Sequence, residues 1–307
     1  MIRRAPGVAL ISFAAVLWGM DALLRKPLAA TTSAATIVFG EHVVLVLVVL
    51  PLLVPALLAL RRAGGRAILA GAVLGAGASA LATILFTQAF VHGDPITPVV
   101  LQKVQPLVAV VGARLILGEQ PRRRFAWFLL PALAGVWLIA FPHPFEVHAR
   151  GLVPIAEALA AAGLWGLGTV LGRYLGRRLS FDHVVTVRFA FGFVGSALAL
   201  PLLSAPTHAG ARDSLWIAVL ALVTGAVALA IYYYGLQRTP AIVASLAELA
   251  YPLTAGIVGY VAFGAALGWS QWIGVGLTTA VVTTLPLRGR GVVRMPDADA
   301  PLAAAPA

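Results

Sequence analysis

Along the chain, long apolar runs alternate with short polar or basic breaks. Ten runs are legible, at about residues 7–26, 35–59, 67–91, 95–117, 125–142, 151–176, 183–203, 214–237, 240–263 and 270–287. A helix needs roughly 20 apolar residues to cross a hydrocarbon core of about 30 Å, and each run approaches or exceeds that length. The pattern predicts an all-α polytopic membrane protein with ten transmembrane helices. The opening Met-Ile-Arg-Arg resembles the start of a signal peptide. No small-x-small cleavage site precedes Asp21, however, and the run continues into Arg25-Lys26, so the first run reads as an uncleaved span. From about Gly289 the chain turns to Ala, Pro, Asp and Arg, and residues 289–307 are expected to form a disordered tail.

Composition narrows the class. Of 307 residues, 61% are hydrophobic and 11% charged, and the mean hydropathy is +0.96. The 22 basic and 11 acidic side chains together cannot cover the surface of a water-soluble domain of this size. Disorder is excluded too, because it needs low hydrophobicity. The chain has no cysteine, which removes disulfides, thiolate metal sites and cysteine nucleophiles. A formal charge of +11 in a soluble protein suggests nucleic acid. Here the bases flank apolar runs, so the partner they indicate is the bilayer.

Their distribution sets orientation. Arg3, Arg4, Arg61, Arg62, Arg66, Arg114, Arg122, Arg123, Arg124, Arg173, Arg177, Arg178, Arg238, Arg288, Arg290 and Arg294 fall on one side. Only Arg25, Lys26, Arg150 and Arg212 fall on the other, and Lys103 and Arg188 lie inside runs. A sixteen-to-four split across short loops places both termini in the cytoplasm of a bacterial inner (plasma) membrane protein. An even number of spans requires the same.

The two halves repeat each other. Trp18-Gly19 is answered by Trp165-Gly166, Lys26 by Arg173, Glu41 by Arg188, and Asp94-Pro95 by Thr239-Pro240. LQKVQPLVAVV in the fourth run aligns with AELAYPLTAGI in the ninth, which matches Pro106 with Pro252, Gln102 with Glu248 and Gln105 with Tyr251. Five spans per half is odd, so the second half must enter the membrane upside down. The units are a first five-helix repeat over 1–146 and an inverted one over 147–288. Such repeats place a transport site near the midplane, at their interface. A duplication retained for stability alone is the other reading.

At these residues the chain resembles the EamA-type members of the drug/metabolite transporter superfamily. The resemblance rests on Ala15-Val16-Leu17-Trp18-Gly19 leading to Lys26, the Gln-Pro of the fourth run, and Leu117-Gly118-Glu119 closing it. In the second half it rests on Trp165-Gly166, the Tyr-Pro of the ninth run and Gln271-Trp272-Ile273-Gly274. It covers about residues 7–287. It implies ten spans around a central cavity and secondary transport, commonly export of amino acids or other small metabolites. Two departures stand out. Glu41-His42 occupies a place where members often carry Arg, and bears on substrate preference. Gly118-Glu119 has no counterpart after the ninth run, where Gly268 is followed by Trp269, and is expected to alter only a loop contact.

Ionisable residues inside a membrane cost roughly 2.5–3.5 kcal/mol each on insertion scales, which singles out Asp21, Glu41, Lys103, Glu157, Arg188 and Glu248. Counting from Pro95 and Pro240, Lys103 and Glu248 lie roughly 12 Å from opposite surfaces, near the midplane. Gln102 and Gln105 share a helix face, as do Glu248 and Tyr251. These four are expected to line one substrate cavity, or else to hydrogen-bond helices together. Pro106 and Pro252 should each release a carbonyl one turn earlier. Asp21, Glu41 and Glu157 come out nearer the outer surface. They are either a polar vestibule and proton path or partners of Arg25, Lys26 and Arg150. Arg188 is expected to snorkel to the cytoplasmic face. Glu248 is the first candidate for proton coupling, with Asp21 and Glu157 behind it. Trp18 and Trp165 face the cavity or simply pack, and of the Tyr232-Tyr233-Tyr234 triplet Tyr233 is taken as the inward member. Trp216, Trp269 and Trp272 read as interfacial anchors, and Gly71, Gly75 and Gly77-Ala78-Ser79 as a close-packing face.

The sequence thus predicts a secondary transporter of small polar solutes, amino acids first, working by alternating access and driven by protons. No Walker loop, cofactor motif or metal-ligand set is present, and neither GxSxG nor HExxH occurs, so an enzyme is not expected. Drug export and flipping of a lipid-linked sugar remain open. Gly-x-x-x-Gly faces suit a homodimer or packing within a monomer.

Overall fold

A computed structural model describes residues 7–92, 101–141, 152–263, 267–288 and 293–294. Asp94, Pro95, Arg150, Arg3, Arg4, Arg290 and most of the tail lie outside the described residues, as do the side chains of Lys26 and Lys103. The described residues are helical almost throughout. Seven segments are long and apolar enough to cross a membrane: Gly7–Ala29, Ala34–Arg62, Gly65–Ala89, Leu152–Gly176, Phe181–Leu202, Ala211–Leu236 and Ala241–Ala262. Helices Gln105–Leu117, Ala126–Ala140 and Trp269–Arg288 occupy the places of the fourth, fifth and tenth runs. The outer faces of the helices are apolar: Leu115 in Gln105–Leu117 and Val261 in Ala241–Ala262 are each 74% exposed. The interior is rich in alanine and small residues, which brings helix backbones close. An apolar exterior around a tightly packed interior is what lipid as solvent selects.

Local sequence sets the ends. Ser33 caps Ala34–Arg62 by accepting from Thr36 N–H at 3.2 Å. Gly118 ends Gln105–Leu117 with a left-handed φ of 67°.

Two kinds of irregularity recur. π-helical turns interrupt Gly65–Ala89 at Val73–Leu81 and Ala211–Leu236 at Ala221–Val227. Before each of the two aligned prolines the α-helical ladder breaks, as a 3₁₀ turn over Gln102–Val104 and as a turn at Glu248 and Leu249. Pro106 and Pro252 lack the N–H that the Gln102 and Glu248 carbonyls would receive. Instead the Gln105 N–H donates to the Gln102 carbonyl, and the Tyr251 N–H to the Glu248 carbonyl at 2.9 Å. The released carbonyls are thus taken up locally.

The Trp-Gly pairs explain how these breaks are packed. A Cβ at Gly19 would lie 2.8 Å from the Tyr251 carbonyl oxygen, and one at Gly166 would lie 2.7 Å from the Gln105 carbonyl oxygen. Each glycine therefore admits the residue just before the proline of the other half. Gly75 and Gly71 do form a close-packing face, against Phe191, Val187 and the Arg188 carbonyl.

One end of the bundle is tied by Glu119, whose role goes well beyond the expected loop contact. It is 0% exposed, accepts from the Ile242 N–H at 3.2 Å and meets Arg177 at 3.5 Å. Burial pushes its carboxyl above the ordinary carboxylate value; the Ile242 and Ala241 N–H groups and Arg173 and Arg177 pull it back down. Arg173 donates to the Leu236 and Gln237 carbonyls. Nearby, Val293–Arg294 pairs antiparallel with Gln120–Pro121, so two residues of the expected disordered tail are ordered.

Candidate substrate site

The helix breaks open onto a cavity of about 230 Å³. Gln102, Gln105, Glu248, Tyr251, Trp18 and Trp165 all line it, and Asp21 lies on its wall. The residues read from the two halves as one constellation therefore meet.

Glu248 is the best-defined member. It is 8% exposed and accepts three hydrogen bonds. Gln105 Nε2 donates to Oε2 at 2.6 Å; Thr169 Oγ1 and the Tyr232 hydroxyl donate to Oε1 at 2.9 and 2.7 Å. All three donors are neutral. Among the described residues no basic group lies within ion-pair distance of Glu248. Gln102, on the same face as Gln105, has its side-chain carbonyl oxygen buried without a hydrogen-bond partner.

The two tryptophans occupy crossed positions. Trp18 packs on Tyr232 with ring centroids 5.1 Å apart, and its Nε1 donates to the Thr224 carbonyl at 2.9 Å. Trp165 packs edge-on against Phe86 at 5.0 Å.

The acidic residues assigned to an outer vestibule are paired. The Arg25 guanidinium donates to Asp21 at 2.6 Å and to Glu41 at 2.7 Å. The helix Asp21–Ala29 places Arg25 one turn beyond Asp21, directed back to the cavity rather than out into a loop. Glu157 lies off the cavity wall and meets His92 Nδ1 at 2.9 Å.

Two expectations are corrected. Arg188 does not snorkel: its guanidinium lines the cavity and donates to the Tyr233 hydroxyl at 2.8 Å and to Ser79 Oγ at 3.3 Å. Tyr233 is not a wall residue, because Tyr232 takes that place and Tyr233 packs behind it, holding Arg188. His42 also reaches the wall, with Nδ1 donating to the Val38 carbonyl at 2.7 Å. Its Nε2 lies 3.1 Å from Ser79 Oγ, within hydrogen-bond distance. Among the described residues no three His, Asp or Glu side chains converge as a metal site.

The chain is similar in fold to a solved structure and in sequence to known transporters. A solved crystal structure superimposes with a TM-score of 0.71 at 20% identity, covering 92% of this chain and 99% of that one, which shows a shared fold. The Riboflavin transporter ImpX of Fusobacterium nucleatum subsp. nucleatum is 28% identical over 287 residues, 86% of this chain and 92% of that protein. The Pseudopaline exporter CntI of Pseudomonas aeruginosa is 28% identical over 198 residues, 64% of this chain and 66% of that protein. The model of the EamA-like transporter family matches twice, over residues 5–141 and 153–285, and the chain belongs to that family.

Proposed function

We propose that this protein is a proton-coupled secondary transporter that exports small polar metabolites, amino acids first, from the cytoplasm. Ten helices, arranged as two inverted five-helix repeats, rock about the cavity and expose it to each side in turn. The carrying observation is Glu248: an intramembrane carboxylate at a helix break, on the cavity wall, held among the described residues by three neutral donors. A carboxylate with no ion-pair partner among the described residues can exchange a solute cation or a proton with the cavity. Asp21, with an Arg25 partner, and Glu157, with His92, are less free to do so.

Contacts between loops support both termini lying in the cytoplasm of an inner-membrane protein. The segments after Leu117, Gly176 and Leu236, and that before Ala241, share the cluster around Glu119 and Arg173, and Val293–Arg294 joins it. Thr31 and Thr32 meet Asp213 at 2.8 Å at the ends opposite in the span order. That grouping is what ten alternating spans require.

Counterflow in proteoliposomes loaded with mixed amino acids, with and without a pH gradient, tests the reading. Exchange that rises with the gradient and collapses in Glu248→Gln is expected; exchange indifferent to both removes the coupling assignment. Riboflavin is the second solute to load, because the relative matching 92% of its own length is a riboflavin transporter.

A further inference from the structure

Arg188 is the one cavity-lining cation among the described residues that lacks a carboxylate partner. Arg25 is neutralised by Asp21 and Glu41. Arg188 is held by the Tyr233 hydroxyl at 2.8 Å, Ser79 Oγ at 3.3 Å and the Ala78 carbonyl at 3.4 Å, all uncharged. Three of its five N–H donors are engaged, two of them at long range. Ser79 is in turn 3.1 Å from His42 Nε2, so the hydroxyl is shared between the imidazole and Arg188. An arginine fully charged at membrane depth is costly unless an anion meets it.

Glu248 is the mirror case: among the described residues no cation lies within ion-pair distance of it, and Arg188 acts on it only from across the cavity. The two ends are mounted on adjacent residues: Tyr233 holds Arg188, and Tyr232 holds Glu248, with ring centroids 5.1 Å apart. The partnerless carbonyl oxygen of Gln102, three residues from the Gln105 that holds Glu248, adds a further acceptor on the wall.

We propose that the cavity is bipolar and takes a zwitterion: the solute's carboxylate docks on the free N–H groups of Arg188, and its ammonium group on Glu248 and the Gln102 carbonyl oxygen. A planar carboxylate suits the guanidinium fork. Bound this way, the solute completes two half-made ion pairs at once and travels with no net charge. This inference rests on the transporter reading and deepens it.

The test uses the full-length protein in proteoliposomes. The best exchanged of the twenty common amino acids is compared with its carboxamide and its N-acetyl form, with riboflavin as a solute of different chemistry. In wild type, blocking either end should weaken exchange by about thirtyfold or more, the consequence of leaving one buried charge unpaired. Arg188→Gln should erase the preference of acid over amide, and Arg188→Lys should keep part of it. Glu248→Gln should erase the preference of amine over N-acetyl. The wild-type comparison needs no variant, so a misfolded mutant leaves the test intact. Riboflavin exchange without amino acid exchange, or amide and acid exchanged alike by wild type, overturns the bipolar site and leaves a carrier. Vesicles that exchange no solute remove the transporter reading and this one with it.

Discussion

The two halves build the site with the same geometry and different chemistry. In each, a Trp-Gly pair crosses to the other half. Gly19 meets Tyr251 and Trp18 packs on Tyr232; Gly166 meets Gln105 and Trp165 packs on Phe86. The polar groups do not repeat. Where the first half has Gln102 and Gln105, the second has Glu248 and Tyr251. Where the first half has Glu41, neutralised by Arg25, the second has Arg188, with no carboxylate within ion-pair distance among the described residues. Backbone packing preserves the duplication because a glycine against a carbonyl tolerates no side chain. Side chains facing the cavity are under no such constraint and have diverged into charges of opposite sign.

That contrast is broken most severely at Glu248. Glu248→Gln removes the one charge of the second-half break and should lower exchange by about thirtyfold or more. Its first-half counterpart Gln102→Ala should lower exchange by about tenfold or less. Equal losses would mean that the halves contribute alike. Next come the glycines. Gly19→Val and Gly166→Val force a side chain against backbone, and each should cost about 1–3 kcal/mol, read as a lowered melting temperature in detergent. Gly163→Ala, with nothing within 4 Å of the added carbon, should change stability by no more than about 0.5 kcal/mol. A tolerant Gly19 beside an intolerant Gly166 would break the symmetry in packing as well.

Smaller effects follow outside the cavity. Glu119→Ala strips the cap from Ala241–Ala247 and leaves Arg177 alone; a loss of about 1–2 kcal/mol is expected. Glu119 also gives stability a sign with pH. Its folded-state value lies above the ordinary one, so protonation favours the folded protein. The melting temperature should therefore rise as pH falls through the raised value, with the gain complete near the ordinary carboxylate value. Glu119→Gln should flatten that slope. A steeper slope in the variant would contradict the sign.

Much of this was legible in the sequence. Hydropathy located the helices because lipid demands long apolar segments. Pro106 and Pro252 located the breaks because a missing N–H has one consequence wherever it occurs. The residues misjudged are those for which backbone position does not decide where the side chain ends. Arg188 starts about two turns into Phe181–Leu202, and its flexible stem reaches inward rather than back to the surface. The three tyrosines are each turned about 100° from the next, and periodicity alone could not select Tyr232 over Tyr233. Arg25 ends the first apolar run, and the helix that continues to Ala29 carries it back to pair with Asp21 and Glu41, one of the two readings of those carboxylates. Glu119 was read as a loop contact because its partner, the Ile242 N–H, lies 123 residues away. Sequence order gives no hint of that pairing.

The crossed Trp-Gly contacts have a consequence for how the site can be assembled. Each half carries the glycine that seats the other's broken helix and the tryptophan that walls the other's aromatic position. A chain severed between residues 141 and 152 would therefore yield two polypeptides that are each incomplete, and function would return only when both are made together. The cavity belongs to the association of the two segments, much as an active site shared across a dimer interface belongs to neither subunit.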